Sequence, residues 1–254
     1  MNAERLRQAL AAREVVYGTW VQTPSPQVVE MLGWAGWDFV IVDLEHGPYG
    51  AETIGHMIRA AEASDAAPIV RVPLSAPHDV GKALDLGAAG IVTPGVTSAD
   101  AGAAAVRLTR FPPHGSRGAS PSTRQLHYSA IPFPTLTADG AQQPLIVLQV
   151  EARLATTDLG GILGIEGLGV VFIGPYDLST SLGLPGQFDH PKVREAIKEI
   201  VDRASERNVA VGIWVPDPPS ARFWVENGVR FVTVSNNELM LFGAASALRR
   251  EVGR

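Results

Sequence analysis

The sequence predicts a (β/α)8 barrel, and three observations carry that expectation. The 254 residues match the roughly 250 of one such barrel. Strand-length apolar runs occur eight times, at 17–21, 37–42, 68–72, 90–96, 145–150, 168–174, 209–215 and 230–234. Helix-length segments lie between them. The runs are continuously apolar or β-branched rather than alternating, which marks parallel strands buried on both faces. The same alternation could also build an open doubly wound sheet.

The elements follow in order. An N-terminal amphipathic helix is expected over 3–13. The segment after the first strand, 24–34, opens with Pro and Ser. Segment 51–64 places Ile54, Met57, Ile58 and Ala61 at helical spacing. Segment 77–86 does the same with Val80, Ala83 and Leu84. At 98–110, Ser98 is a candidate N-cap with Asp100 in the first turn. Helices over 157–165, 191–207, 218–227 and 237–252 complete the set. Pro191 at a helix start and Gly228 after a helix end fit the usual asymmetry. The connection 111–143 is long, Pro-rich and polar. A connection of that length is usually functional, an interface or mobile. The whole chain, 1–254, is expected to form one barrel domain.

Composition excludes several function classes. A formal charge of −5 argues against a nucleic-acid partner, which rewards basic patches. The absence of cysteine removes disulfides, thiolate metal sites and cysteine nucleophiles together. No apolar stretch is long enough to span a membrane, and the charged start lacks the apolar core of a signal peptide. A cytoplasmic location is the expectation. No phosphate-cradling P-loop or GxGxxG pattern occurs, so no nucleotide cofactor is expected. The three lysines, Lys82, Lys192 and Lys198, fall on predicted helices or their starts. A Schiff-base aldolase needs an amine in the barrel mouth, so that mechanism is disfavoured.

Barrel enzymes place their chemistry at the carboxyl ends of the strands. There the sequence offers Gln22, then Asp43-Leu44-Glu45-His46-Gly47, Arg71, Thr93-Pro94, Gln149 with Glu151, Asp177, Trp214, and Ser235-Asn236. Glu151 and Asp177 follow strands 5 and 6. Neighbouring parallel strands lie about 4.8 Å apart, so these two acids can converge. Converging carboxylates repel unless a proton or cation lies between them, and oxygen-only ligands suit a hard ion such as Mg²⁺ or Mn²⁺. A glycosidase acid pair is the competing reading. His46 is the one histidine directly after a strand and suits proton transfer. Arg71 suits a substrate carboxylate or a developing enolate oxygen; an ion pair with Asp43 or Glu45 is compatible with that role.

Five stretches taken together resemble the HpcH/HpaI aldolase family, the class II pyruvate aldolases. They are Phe39-Val40-Ile41-Val42-Asp43-Leu44-Glu45-His46-Gly47, Arg71-Val72, Pro112-Pro113-His114-Gly115-Ser116-Arg117-Gly118, Gln149-Val150-Glu151, and Phe172-Ile173-Gly174-Pro175-Tyr176-Asp177-Leu178-Ser179. The resemblance runs from about Gly18 to the C-terminus. It implies a barrel of the phosphoenolpyruvate/pyruvate type and a divalent metal ion (Mg²⁺, Mn²⁺ or Co²⁺) held at Glu151 and Asp177, chelating a 2-oxo acid. It implies Arg71 and Gln149 on the pyruvyl unit, with Gly174, Pro175, Tyr176 and Trp20 completing the substrate site. His46 would be the base, acting through water on the 4-hydroxyl, with Asp85 as its paired acid. The implied substrates are pyruvate or another 2-oxo acid and an aldehyde, and the implied assembly is a homo-hexamer with the C-terminal helix packed on a neighbour and the connection 111–143 as interface or active-site rim. Two positions depart from the family pattern. Tyr176 stands where a small residue is common, and Asn236 lies where an acid is frequent. The rival readings are a lyase of the same superfamily acting on an acyl-CoA or other oxo or hydroxy acid, the glycosidase, and a catalytically silent metabolite-binding barrel.

Overall fold

A computed structural model describes residues 3–138 and 143–253. Eight parallel strands close into a barrel in the order β1-β2-β3-β4-β5-β6-β7-β8, with β8 paired back to β1. They are β1 (Val16–Val21), β2 (Phe39–Asp43), β3 (Ala67–Arg71), β4 (Gly90–Thr93), β5 (Leu145–Val150), β6 (Val170–Ile173), β7 (Ala210–Val215) and β8 (Phe231–Asn236). Every predicted strand is present, and the closed order rules out the open sheet.

The helices are α1 (Ala3–Ala11), α2 (Pro26–Trp34), α3 (Ala51–Ala63), α4 (His78–Asp85), α5 (Ala99–Thr109), α6 (Pro134–Thr137), α7 (Arg153–Thr157), α8 (Leu159–Ile162), α9 (Pro175–Ser181), α10 (Pro191–Glu206), α11 (Pro218–Glu226) and α12 (Asn237–Glu251). Local chemistry sets their starts. Ser25 accepts from the Val28 amide, Ser98 from Ala101, Asp217 from Ser220 and Asn236 from Leu239, each meeting an amide that the first helical turn leaves unpaired. The single helix expected over 157–165 is instead α7 and α8. Asp158 leaves helical geometry between them, and its carboxylate accepts from the Ala99 amide at 2.6 Å. Helix α9 was not anticipated, being seven residues long and too short to show a period.

Packed rings fill the barrel interior. Phe39 stacks on Phe231 at 4.1 Å between centroids, and Phe172 meets Phe231 edge-on at 6.2 Å. A side chain at Gly18 would collide with the Phe39 ring, so that position must stay bare. Leu6 and Ala9 of α1 join this interior cluster with Val16 and Ala67 and stop the amino-terminal end of the barrel. A second apolar layer lies between the strands and the outer helices.

The connection after α5 corrects one expectation. An α-to-β connection returns the chain to the amino-terminal end of the barrel, and this one stays there; its residues 139–142 lie outside the described residues. Arg117 binds Asp85 at the end of α4 at 2.6 Å, Arg124 donates to the Leu86 carbonyl at 2.8 Å, and Leu126 is buried. The connection is therefore not the rim of this chain's own active site.

Helix α12 packs differently from the others. Its contacts with the barrel centre on Asn237, whose side chain accepts from the Gln22 amide at 3.0 Å and donates to the Thr23 hydroxyl at 2.8 Å. Leu241, Phe242 and Leu248 are 71%, 74% and 64% exposed. No helix among the described residues is long and apolar enough to cross a membrane. Because Phe231 touches two other rings in a filled interior, Phe231→Ala is expected to cost about 3–5 kcal/mol, read as a drop in the urea unfolding midpoint.

Candidate active site

The strands' carboxyl ends bring most of the predicted residues together. Asp43 and Arg71 are register partners on β2 and β3. Arg71 Nε donates to Asp43 Oδ1 at 2.7 Å and its NH2 to Oδ2 at 2.6 Å, while NH1 lies 3.1 Å from Glu45 Oε2. Both ion pairs anticipated for Arg71 are thus present at once. The guanidinium also lies over the Trp20 ring at 4.3 Å, and the Trp20 indole N–H is committed to Thr233 Oγ1 at 2.9 Å. Trp20 therefore supports Arg71 from beneath and has no N–H left for a ligand.

Asp43 is the hub of this half. Gln22 donates to Oδ2 at 2.9 Å, and the Glu45 amide to Oδ1 at 3.0 Å. Burial alone would raise its pKa, but hydrogen bonds from Arg71 and Gln22 outweigh that and hold it below the usual carboxylate range. Tyr49, which no motif or spacing singles out, donates to the Val21 carbonyl at 2.8 Å and accepts from the Asp43 amide at 2.9 Å. It ties β1 to the β2–α3 loop that carries His46. The His46 side chain is 62% exposed, with Nε2 4.0 Å from Glu45 Oε2.

Glu151 forms the other half. Its Oε1 accepts from the Gly95 amide at 2.7 Å, and Oε2 accepts from Gln149 Nε2. Gln149 and Glu151 are two residues apart, so strand periodicity points both toward the same side. Gly174 is required here: a Cβ would come within 2.6 Å of Glu151 Oε2 and 2.8 Å of Gln149 Nε2. Asp177 stands in the first turn of α9, which starts on Pro175. Burial, reinforced by the charges of Asp177 and Glu45, pushes the Glu151 pKa up to about 7.

A cavity of about 390 Å³ joins the two halves, a size suited to a small molecule. Trp20, His46, Arg71, Gln149, Gly174, Pro175, Tyr176 and Asp177 all line it, as do Trp214, Glu238 and Leu239. Tyr176 packs against Phe188 at 4.7 Å and Trp214 at 5.0 Å. Glu238 escaped the sequence reading because an acid in a helix's first turn reads as a complement to the helix dipole.

Asp85 is the exception. It closes α4, at the opposite end of the barrel from His46, and is held by Arg117. The expected His46–Asp85 pair does not form within one chain, because helices run antiparallel to the strands and α4 ends where β4 begins.

The donor set fits a cation. Glu151 is a half-buried carboxylate kept from ordinary ionisation in part by a second acid, and Gln149 Oε1 is buried without a hydrogen-bond partner. No group of three or more His, Cys, Asp and Glu converges among the described residues, so a hard ion would rest on the two oxygen ligands Glu151 and Asp177 and leave positions open.

A closed eight-stranded barrel with an acid pair, a clamped arginine and a histidine at the carboxyl ends defines a small-molecule enzyme of the (β/α)8 class. The chain belongs to the HpcH/HpaI aldolase/citrate lyase family, whose profile matches residues 16–242. It is 35% identical over 233 residues to the 5-keto-4-deoxy-D-glucarate aldolase of Salmonella paratyphi C (strain RKS4594), covering 92% of this chain and 90% of that one. A crystal structure of an HpcH/HpaI aldolase/citrate lyase family protein from Burkholderia cenocepacia J2315 superposes with a TM-score of 0.91 at 33% identity, covering 98% and 99% of the two chains. That of the citrate synthase SbnG gives 0.85 at 28%, covering 97% and 96%. These findings bear out the family and the barrel of the phosphoenolpyruvate/pyruvate type.

Metal binding is expected to compete with a proton on Glu151. Because its folded pKa is raised, the protonated form predominates below about pH 7, and affinity for Mg²⁺ or Mn²⁺ is expected to fall about tenfold per pH unit below that point. Calorimetric titration across pH 5.5–8.5, in buffers of different ionisation enthalpy, checks both the slope and the proton release. Glu151→Ala is expected to abolish the binding isotherm while leaving the circular dichroism spectrum intact.

Proposed function

We propose that the chain is a divalent-metal-dependent aldehyde-lyase. It cleaves 4-hydroxy-2-oxo acids to pyruvate and an aldehyde and catalyses the reverse aldol addition. The observation that carries this reading is Glu151, a half-buried carboxylate raised to about 7 beside Asp177, with Asp177 itself lining a cavity that also presents Arg71, Gln149 and His46. An acid pair alone would serve a glycosidase as well. The clamped arginine at the same cavity favours chemistry that develops negative charge on oxygen.

Glu151 and Asp177 would hold the ion, which when bound supplies positive charge to the oxygens of the keto acid. Arg71 binds and orients the pyruvyl unit and offers N–H donors to the oxygen on which charge develops. Gln149 fixes Glu151 through its amide and leaves its carbonyl oxygen facing the site. The amides of Gly174 and Tyr176 flank the substrate carboxylate; Pro175 has no N–H and contributes only contact. In cleavage, the 4-hydroxyl proton passes through water to His46. The C3–C4 bond breaks, its electron pair stays with the pyruvate half as an enolate, and the aldehyde departs. C3 then takes up a proton.

With Mg²⁺ or Mn²⁺ present, the protein is expected to exchange the methyl protons of pyruvate with D₂O, followed by proton NMR. Arg71→Ala is expected to slow that exchange about 100-fold or more. Absence of exchange above the metal-only background would overturn the reading.

We propose in addition a homo-hexamer assembled through α12, in keeping with the family resemblance and with the outward Leu241, Phe242 and Leu248. Asp85 could then reach only the His46 of another chain. Light scattering is expected to return six times the 27.0 kDa chain mass, and Leu241→Glu combined with Phe242→Glu is expected to lower it. A monomeric wild type would sink this part.

A further inference from the structure

The two ends of the cavity differ in chemistry. The end at Gln149, Gly174 and Arg71 is taken up by the keto acid under the reading above, on which this inference rests. The outer end is walled by Tyr176 and Trp214. Tyr176, Trp214 and Phe188 brace one another at centroid distances of 4.7, 5.0 and 6.1 Å, so the wall is apolar and fixed.

The polar groups at that end are mostly committed. The Trp214 indole N–H donates to the Ser235 carbonyl at 3.1 Å, and Asn236 Oδ1 accepts from the Leu239 amide at 2.8 Å. Glu238 differs. Its Oε1 accepts from the Thr23 hydroxyl at 2.6 Å, but Oε2 is buried without a hydrogen-bond partner. The charge balance points the same way. The arginine lining the cavity, Arg71, already faces Asp43 and Glu45, no lysine lines it, and of the two acids lining it Asp177 is assigned to the ion, which leaves Glu238. A carboxylate on the aldehyde half would thus meet like charge and an apolar wall.

We propose that the aldehyde taken at this end is uncharged and carries no carboxylate, its carbon chain resting on Tyr176 and Trp214, and that Glu238 is the specificity-determining residue that turns carboxylated aldehydes away. Like-charge juxtaposition of this kind discriminates by repulsion rather than by added attraction.

The test uses a matched pair of aldehydes with pyruvate and Mg²⁺ or Mn²⁺: succinic semialdehyde, and 4-methylpentanal, in which an isopropyl group replaces the carboxylate at nearly the same shape. The expected kcat/KM favours 4-methylpentanal by about tenfold or more. Glu238→Gln keeps an oxygen for the Thr23 hydroxyl and is expected to narrow the ratio by raising the value for succinic semialdehyde. Tyr176→Ala is expected to raise KM for 4-methylpentanal. Equal or better use of succinic semialdehyde by the wild type, or an unchanged ratio in Glu238→Gln, overturns the inference. Pyruvate exchange with D₂O needs no aldehyde, so the same preparation separates the two failures. Lost exchange removes the aldolase reading, whereas intact exchange with succinic semialdehyde preferred removes only the present one.

Discussion

The two-point hydrogen bond between Arg71 and Asp43 is the constraint on which the mouth of the barrel depends. Both residues sit at the last register of their strands, so the bond locks β2 to β3 where regular pairing stops. Burying two charges is costly unless every remaining donor and acceptor is met. Gln22, the Glu45 amide, Glu45 itself and the Trp20 ring meet most of them, and terminal N–H groups of Arg71 are left for a ligand. The loop carrying His46 is folded around the same carboxylate. A change at Asp43 would therefore propagate to the arginine, the loop and the histidine together.

Two carboxylates at one end of the barrel, Asp43 buried and Glu151 half-buried, are driven in opposite directions. Asp43 has a cation to itself and is held ionised. Glu151 has amide donors but faces other acids, and its pKa rises to about 7. Environments that push two acids apart are a common basis for dividing roles in a site. Here the division separates a structural anion, spent on Arg71, from one whose charge awaits a partner.

The strands were readable because burial on both faces leaves an uninterrupted apolar signature, and their carboxyl-end residues could be read off in turn. That sufficed to place His46, Arg71, Gln149, Glu151 and Gly174 at the strands' carboxyl ends. It failed where position depends on topology rather than pattern. Asp85 belongs to a helix whose end points away from the site, a fact set by chain direction. Helix α9 is shorter than two helical periods, so Asp177 was read as a strand-end acid when it belongs to a first helical turn. The break at Asp158 arises because its side chain serves α5, which no local propensity encodes. The departures at Asn236 and the neighbouring Asn237 acquire structural reasons, the first capping α12 and the second joining α12 to the end of β1.

The filled interior has a kinetic consequence. Among the described residues, Phe39, Phe172 and Phe231 fill the barrel beneath the cavity and α1 stops its far end, so the cavity opens toward the carboxyl ends of the strands. Gln149 and Arg71 are buried within it, whereas Tyr176 and Leu239 are exposed at its lip. In a reaction that joins two molecules, the one bound deeper must arrive first and depart last. Under the proposed reaction, the barrel's aromatic floor, far from any reacting atom, would thus impose an ordered sequential mechanism in which the keto acid is trapped behind its partner.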